Sequence, residues 1–165
     1  MAAEAEVLDE LHRLRARLPQ LTGALAASVD GLVLAQDTRG VEPEGLAALT
    51  AAAQSVALRL VDATGQGAFR ELLVRGADGY VATYAAGPSA VLTLLAEGRV
   101  NVGRLHLEGR RSGQRICELL GAAVQQPDRP PQQPPATTGP ALPVRTPSVR
   151  PGRPPHSATG EAPSK

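Results

Sequence analysis

The residues whose types could do chemistry in this chain are few: three histidines, one cysteine, scattered turn aspartates, one arginine pair and one short glycine motif. His12, His106 and His156 fall in two different helical stretches and a proline-rich tail, and no His/Cys/carboxylate spacing resembles a metal site. Cys117 follows Ile116 in an apolar helical pattern and reads as a half-buried, inert thiol. Gly65-Gln-Gly67 starts like a dinucleotide fingerprint. It lacks the third glycine, leads into a strand and has no βαβ unit around it. Asp30, Asp37 and Asp78 stand in turns, where aspartate serves the backbone first. Arg110-Arg111 reads as a solvated helix face. No nucleophile–base pair emerges, and the only lysine, Lys165, is terminal, which removes P-loop and Schiff-base chemistry. The sequence predicts a protein that is not an enzyme and needs no cofactor.

Composition sets the class. The 165 residues allow one ordinary domain with an appendage, and hydrophobic residues at 42% suffice for a core. Aromatics at 2% leave that core to Leu, Val and Ala. A net charge of +1 carries no basic face, so no nucleic-acid partner is expected. A single cysteine fits a reducing compartment, and the acidic start is not a signal peptide. No uninterrupted apolar run approaches the roughly 20 residues of a membrane span, so no membrane insertion is expected and the location reads as cytoplasmic.

The elements that must position these residues follow in order. Val7, Leu11, Leu14 and Leu18 mark one face of a helix over Glu4–Leu18, stopped by Pro19. Ala24–Val29 and Leu32–Ala35 flank Asp30-Gly31, the pattern of a two-residue hairpin turn. Leu25, Ala27, Val29, Leu32 and Leu34 then share a face. Glu42–Ala63 is the longest helix and carries two apolar arcs. Leu46, Leu49, Ala53, Val56 and Leu60 read as the core stripe. Ala47, Thr50, Ala51, Gln54, Leu58 and Val61 form a second arc, which one sheet does not require and which would admit another helix. Three strands fenced by glycines follow, Ala68–Arg75, Tyr80–Ala85 and Ser89–Ala96, in an antiparallel meander. Asn101 caps a last helix whose buried line holds Val102, Leu105, Gly109, Ser112, Ile116 and Leu119. Gly109 and Gly113 suggest a kink or a close backbone contact there. Twelve of the fifteen prolines lie beyond Gln126, so residues 1–125 read as the domain and 126–165 as a disordered, proline-rich tail. Its PxxP matches, such as Pro131-Gln-Gln-Pro134, are what a proline-rich tract yields by chance.

This order of elements, with Val29-Asp-Gly-Leu-Val-Leu-Ala35, the helix Leu46–Val61, Asp78-Gly-Tyr80, Ala90-Val-Leu-Thr-Leu-Leu95 and Asn101-Val-Gly103, resembles the roadblock (dynein light-chain) domain over about residues 4 to 124. The Arg- and Ala-rich composition is similar to its bacterial, MglB-like and actinobacterial members. The resemblance implies an α+β, profilin-like α-β-β-α-β-β-β-α sandwich. Its five-stranded antiparallel sheet would carry the long helix on one face and the terminal helices on the other. It further implies a homodimer in which the third strand (Phe69, Glu71, Leu73) pairs with its copy and the long helices lie side by side. Their second arc (Ala47, Thr50, Ala51, Gln54, Leu58, Val61) would then meet the partner. It implies a non-catalytic module that binds a small Ras-like GTPase, as scaffold or activator. The chain differs from those members in having no Trp in its first helix and in its tail. The competing layout is a small-molecule-sensing or structural dimerisation domain of profilin- or PAS-like form, whose pocket would ordinarily show more aromatics.

Overall fold

A computed structural model describes residues 2–125, so the expected tail lies outside the described residues. The first helix, α1 (Ala2–Arg17), ends before Pro19, and its stripe Val7, Leu11, Leu14, Leu18 is at most 1% exposed. Strands β1 (Leu21–Ser28) and β2 (Val33–Thr38) form the hairpin. Helix α2 (Pro43–Ala63) starts at Glu42, whose carboxylate accepts hydrogen bonds from the Glu44 and Gly45 N–H groups. Strands β3 (Glu71–Arg75), β4 (Gly79–Ala85) and β5 (Ala90–Glu97) form the meander, and α3 (Val102–Gln125) closes the chain. The Asn101 side chain accepts from the Arg104 N–H at 2.9 Å, the cap its position predicted.

The five strands run antiparallel in the order β2-β1-β5-β4-β3. One face carries α1 and α3 over a core that includes Leu11, Ala24, Ala26, Tyr84, Leu92, Leu94, Leu105 and Ile116. The other carries α2 over a smaller cluster of Leu25, Ala27, Ala47 and Val91. The resemblance implied this division of helices between the faces, and the packing has it.

Two local expectations are corrected. The hairpin loop has three residues rather than two: Gly31 N–H donates to Ser28 O at 3.0 Å and Ser28 N–H to Leu32 O at 2.8 Å, with Gly31 at φ 85°. An αL glycine after a tight turn closes such loops. The extra residue shifts the register, so Ala27 faces Val33 and a bulge follows. Val33 joins the Leu25 face, Leu34 packs into the opposite core, and Leu32 is left 68% exposed. The third strand begins at Glu71, which leaves Phe69 in the preceding loop.

Candidate partner interface

The larger correction concerns the rotation of α2. Its buried residues are Ala47, Thr50, Gln54 and Ala57. Three of the six residues of the arc expected to meet a partner, Ala47, Thr50 and Gln54, therefore lie on the sheet and have no surface left to offer. Three of the five residues expected to be core stand outside: Leu49 is 72% exposed, Val56 67% and Leu60 63%. The exchange is partial: Leu46 of the expected core stripe does pack against the Leu25, Ala27 and Val91 cluster, and Ala53 is half-buried. Small side chains allow the helix close to the strands, and the Thr93 hydroxyl, mid-strand in β5, bonds to Thr50 Oγ1 at 3.1 Å. An unpaired buried hydroxyl is costly, so Thr93 fixes which arc turns inward. That threonine was the available signal in the sequence.

The remaining expected interface residues divide. Ala51 and Val61 are half-buried and Leu58 is partly exposed on α2. Glu71 is engaged by Arg110 of α3 through a two-pronged ion pair, so its carboxylate is held below its ordinary range chiefly by that hydrogen bond. Leu73 packs against the core under α1 and α3. Strand β3 is nonetheless a sheet edge, bonded only to β4, and Val74 is half exposed. Helix α2 reaches β1, β2 and β5, leaving the β3 end of its face thinly covered. By length and mean hydropathy α2 is also the one helix among the described residues that meets the requirement for a membrane span, against the sequence expectation. Its hydrogen bond to the sheet and its packing on β1 account for its inner side.

The polar groups elsewhere form closed sets. Between α1 and α3, Arg17 bonds Glu108 at 2.7 Å, Glu10 at 2.9 Å and the Ser112 hydroxyl, which donates to Glu10 at 2.7 Å. Burial pushes the Glu10 carboxyl up, but the Ser112 and Arg17 hydrogen bonds outweigh it and hold the group below its ordinary value. Ser112 is fully buried with its hydroxyl held between Arg17 and Glu10, so the set clamps the two helices together. Tyr84, fully buried, meets His106 Nδ1 through its hydroxyl at 3.1 Å, and burial pushes the phenol up. Its ring fills the space over Gly109, the close contact the glycine suggested. Cys117 is half-buried, as expected. No metal-holding cluster of His, Cys, Asp or Glu occurs among the described residues. One buried side-chain atom among them has no hydrogen-bond partner, Gln54 Oε1. Such an atom costs about 1–3 kcal/mol.

Against this geometry the comparisons are direct. The profile of the Roadblock/LC7 domain matches residues 7–96, and the chain belongs to that family. A structure of MglB with a tetrameric arrangement superposes with a TM-score of 0.70 at 21% identity, covering 74% of this chain and 93% of that one. The Roadblock/LC7 domain from Streptomyces avermitilis gives 0.63 at 24% identity, covering 69% and 97%. The uncharacterized protein MJ1340 of Methanocaldococcus jannaschii is 27% identical over 101 residues, 61% of this chain and 88% of its own.

Proposed function

We propose that this protein is a cytoplasmic, homodimeric roadblock module that binds a small Ras-like GTPase and regulates or scaffolds it without catalysing a reaction itself. The observation that carries the reading is the stripe Leu49, Val56, Leu60, more than three-fifths exposed and lying on the same face of the sheet as the open end toward edge strand β3. Large apolar side chains aligned on one helix face mark an interaction surface rather than chance exposure. A second copy is the occupant the fold favours. The edge of β3 can continue the sheet across a two-fold axis, and the two outer faces of α2 then cover each other. Each such side chain contributes roughly 1.5–3 kcal/mol on full burial. Three from each protomer are of the size needed to offset an association cost of about 4–15 kcal/mol. The tetrameric arrangement named for one MglB structure supports self-association in proteins of this fold.

The GTPase is the partner that membership in the roadblock family favours. The chain has no lysine before Lys165, and in the described domain the carboxylates of the polar clusters are engaged by arginines; both suit binding better than chemistry. A Ras-like partner rearranges its switch loops with the γ-phosphate, so a regulator that reads them prefers one nucleotide state. Two measurements test the proposal. Sedimentation of the full chain at micromolar concentration should give a dimer, and a monomer would refute that part. Calorimetry against a co-encoded small GTPase should show tighter binding with a non-hydrolysable GTP analogue than with GDP. Equal affinity would leave a passive scaffold, and no binding would remove the GTPase from the reading.

A further inference from the structure

Helices α1 and α3 lie on the face of the sheet opposite α2, so a dimer built through α2 leaves their outer surface open. On α3 that surface follows one line at alternating steps of three and four: Arg104, Leu107, Arg111, Gln114, Glu118 and Gly121, every one exposed. Such spacing makes a straight seam along a helix. The line is complementary to its own reverse about Gln114. Read backwards, Glu118 takes the place of Arg111. Gly121, with nothing within 4 Å of an added Cβ, takes the place of Leu107, which is 65% exposed. Arg111 has no hydrogen-bond or ion-pair partner among the described residues, and Glu118 is engaged only within its own helix, by Gln114 at 3.4 Å and Arg115 at 3.2 Å. Helix α1 runs antiparallel to α3, since Glu10 meets Ser112 while Arg17 meets Glu108. It carries Glu4, Glu6 and Asp9 in its first half and Arg13 in its second. The two-helix layer therefore has a basic end, with Arg13, Arg104 and Arg111, and an acidic end, with Glu4, Glu6, Asp9 and Glu118. The last turn of α3, at the acidic end, has no basic residue, and a helix C-terminus adds partial negative charge there. A cleft of about 370 Å³ between the helices, lined by Arg111, Gln114, Arg115 and Glu118 with Glu10 and Arg17, lies where the two ends meet.

We infer that the α1–α3 layer is a second self-association surface, on which another copy of this chain lies antiparallel about a two-fold axis beside Gln114. Arg111 of each copy then pairs with Glu118 of the other, and Leu107 covers the bare helix backbone at Gly121. The basic end of each layer lies over the acidic end of the other. Charge selects this occupant: a surface of one sign, such as nucleic acid or an anionic membrane, would be repelled at one end, whereas a reversed copy matches both ends at once. The contact is isologous, the same patch serving both copies. It does not rest on the dimer proposed through α2. Where that dimer forms, it presents two such faces, and assembly continues past the dimer.

The test is sedimentation of the full chain from about 10 μM to about 500 μM, at low and at high salt. At low salt a reversible step above the α2-mediated dimer should appear with a Kd on the order of 100 μM, the scale that a few exposed ion pairs and one leucine allow. In about 0.5 M NaCl, where charges are screened beyond a few ångströms, the step should weaken by about fivefold or more. Arg111→Glu and Glu118→Arg are exposed changes that leave folding intact. Each should weaken the step by about fivefold, and the double reversal should restore it to within about twofold. Val56→Glu, which disables the α2 surface and is monomeric at micromolar concentration, should show the same step from monomer to dimer in the upper part of the range, with the same response to the charge reversals. Failure of the α2 dimer and failure of this contact are thereby read separately. No such step in either background, a step indifferent to salt, or a double reversal no better than the single ones would each overturn the inference.

Discussion

The clamp between α1 and α3 shows what single residues contribute. Glu10 is almost fully buried yet charged, because Arg17 and Ser112 both donate to it. Its folded pKa lies below the ordinary 4.5, so its contribution is present above that pH and is lost as pH falls through the lower folded value. Glu71, held down by Arg110, acts with the same sign. Tm should therefore be flat from about pH 7 to 5 and fall below about 4.5, with a shallower fall in Glu10→Gln. At neutral pH that variant should lose about 1.5–3 kcal/mol, the worth of a hydrogen bond to a charged group, measured by urea unfolding. Two glycines of α3 make a sharper pair. A methyl at Gly109 would enter the Tyr84 ring, whereas nothing lies within 4 Å of one at Gly121. Gly109→Ala should cost about 1–3 kcal/mol by overpacking, and Gly121→Ala should gain up to about 1 kcal/mol in helix propensity. The glycine contact was legible in the sequence. Glu10 was not, since an acid at one helical position gives no sign of an arginine and a serine arriving from two other places.

At the scale of elements, all eight were legible because their apolar periods and turn residues agree. The edges moved by a few residues, and the hairpin loop gained one. Gly31 now has two reasons to be glycine: its φ of 85°, and the α2 backbone at Ala48, whose Cα would stand 3.2 Å from an added Cβ. Gly31→Ala should destabilise by more than about 1 kcal/mol, read from the same urea midpoints. Helix α2 is where periodicity ran out. Two arcs of similar apolar content satisfy a 3.6-residue repeat equally, and small size together with the Thr50–Thr93 hydrogen bond decided between them: Ala47, Thr50 and Ala57 lie against the strands, while Leu49 and Val56 face out. Of the α2 residues expected at a partner interface, Ala47, Thr50 and Gln54 are buried on the sheet, while Leu49, Val56 and Leu60 of the expected core stripe are exposed. The consequence can be measured. Val56→Glu, on the outer face, should give a folded monomer of nearly unchanged monomer stability by sedimentation. Thr50→Val should leave self-association intact and lower stability by about 1–3 kcal/mol, because Thr93 loses its buried partner.

At the scale of the whole molecule, the strand order has a kinetic consequence. Helix α2 carries the chain from β2 at one margin of the sheet to β3 at the other, so the two halves, α1-β1-β2-α2 and β3-β4-β5-α3, meet at the centre, where β1 pairs with β5 from Leu21↔Ala96 to Ser28↔Ala90. Each half can form its own hairpin or meander early, but the central seam must wait for the closure of the longest loop in the domain, which is the slow step for non-local strand pairing. The seam is held by side chains and ladder bonds rather than by the covalent link through Thr64–Arg70. A chain cut once in that exposed loop should keep its halves together as a two-fragment complex. The roadblock domain is, in this sense, already two complementary pieces on one thread.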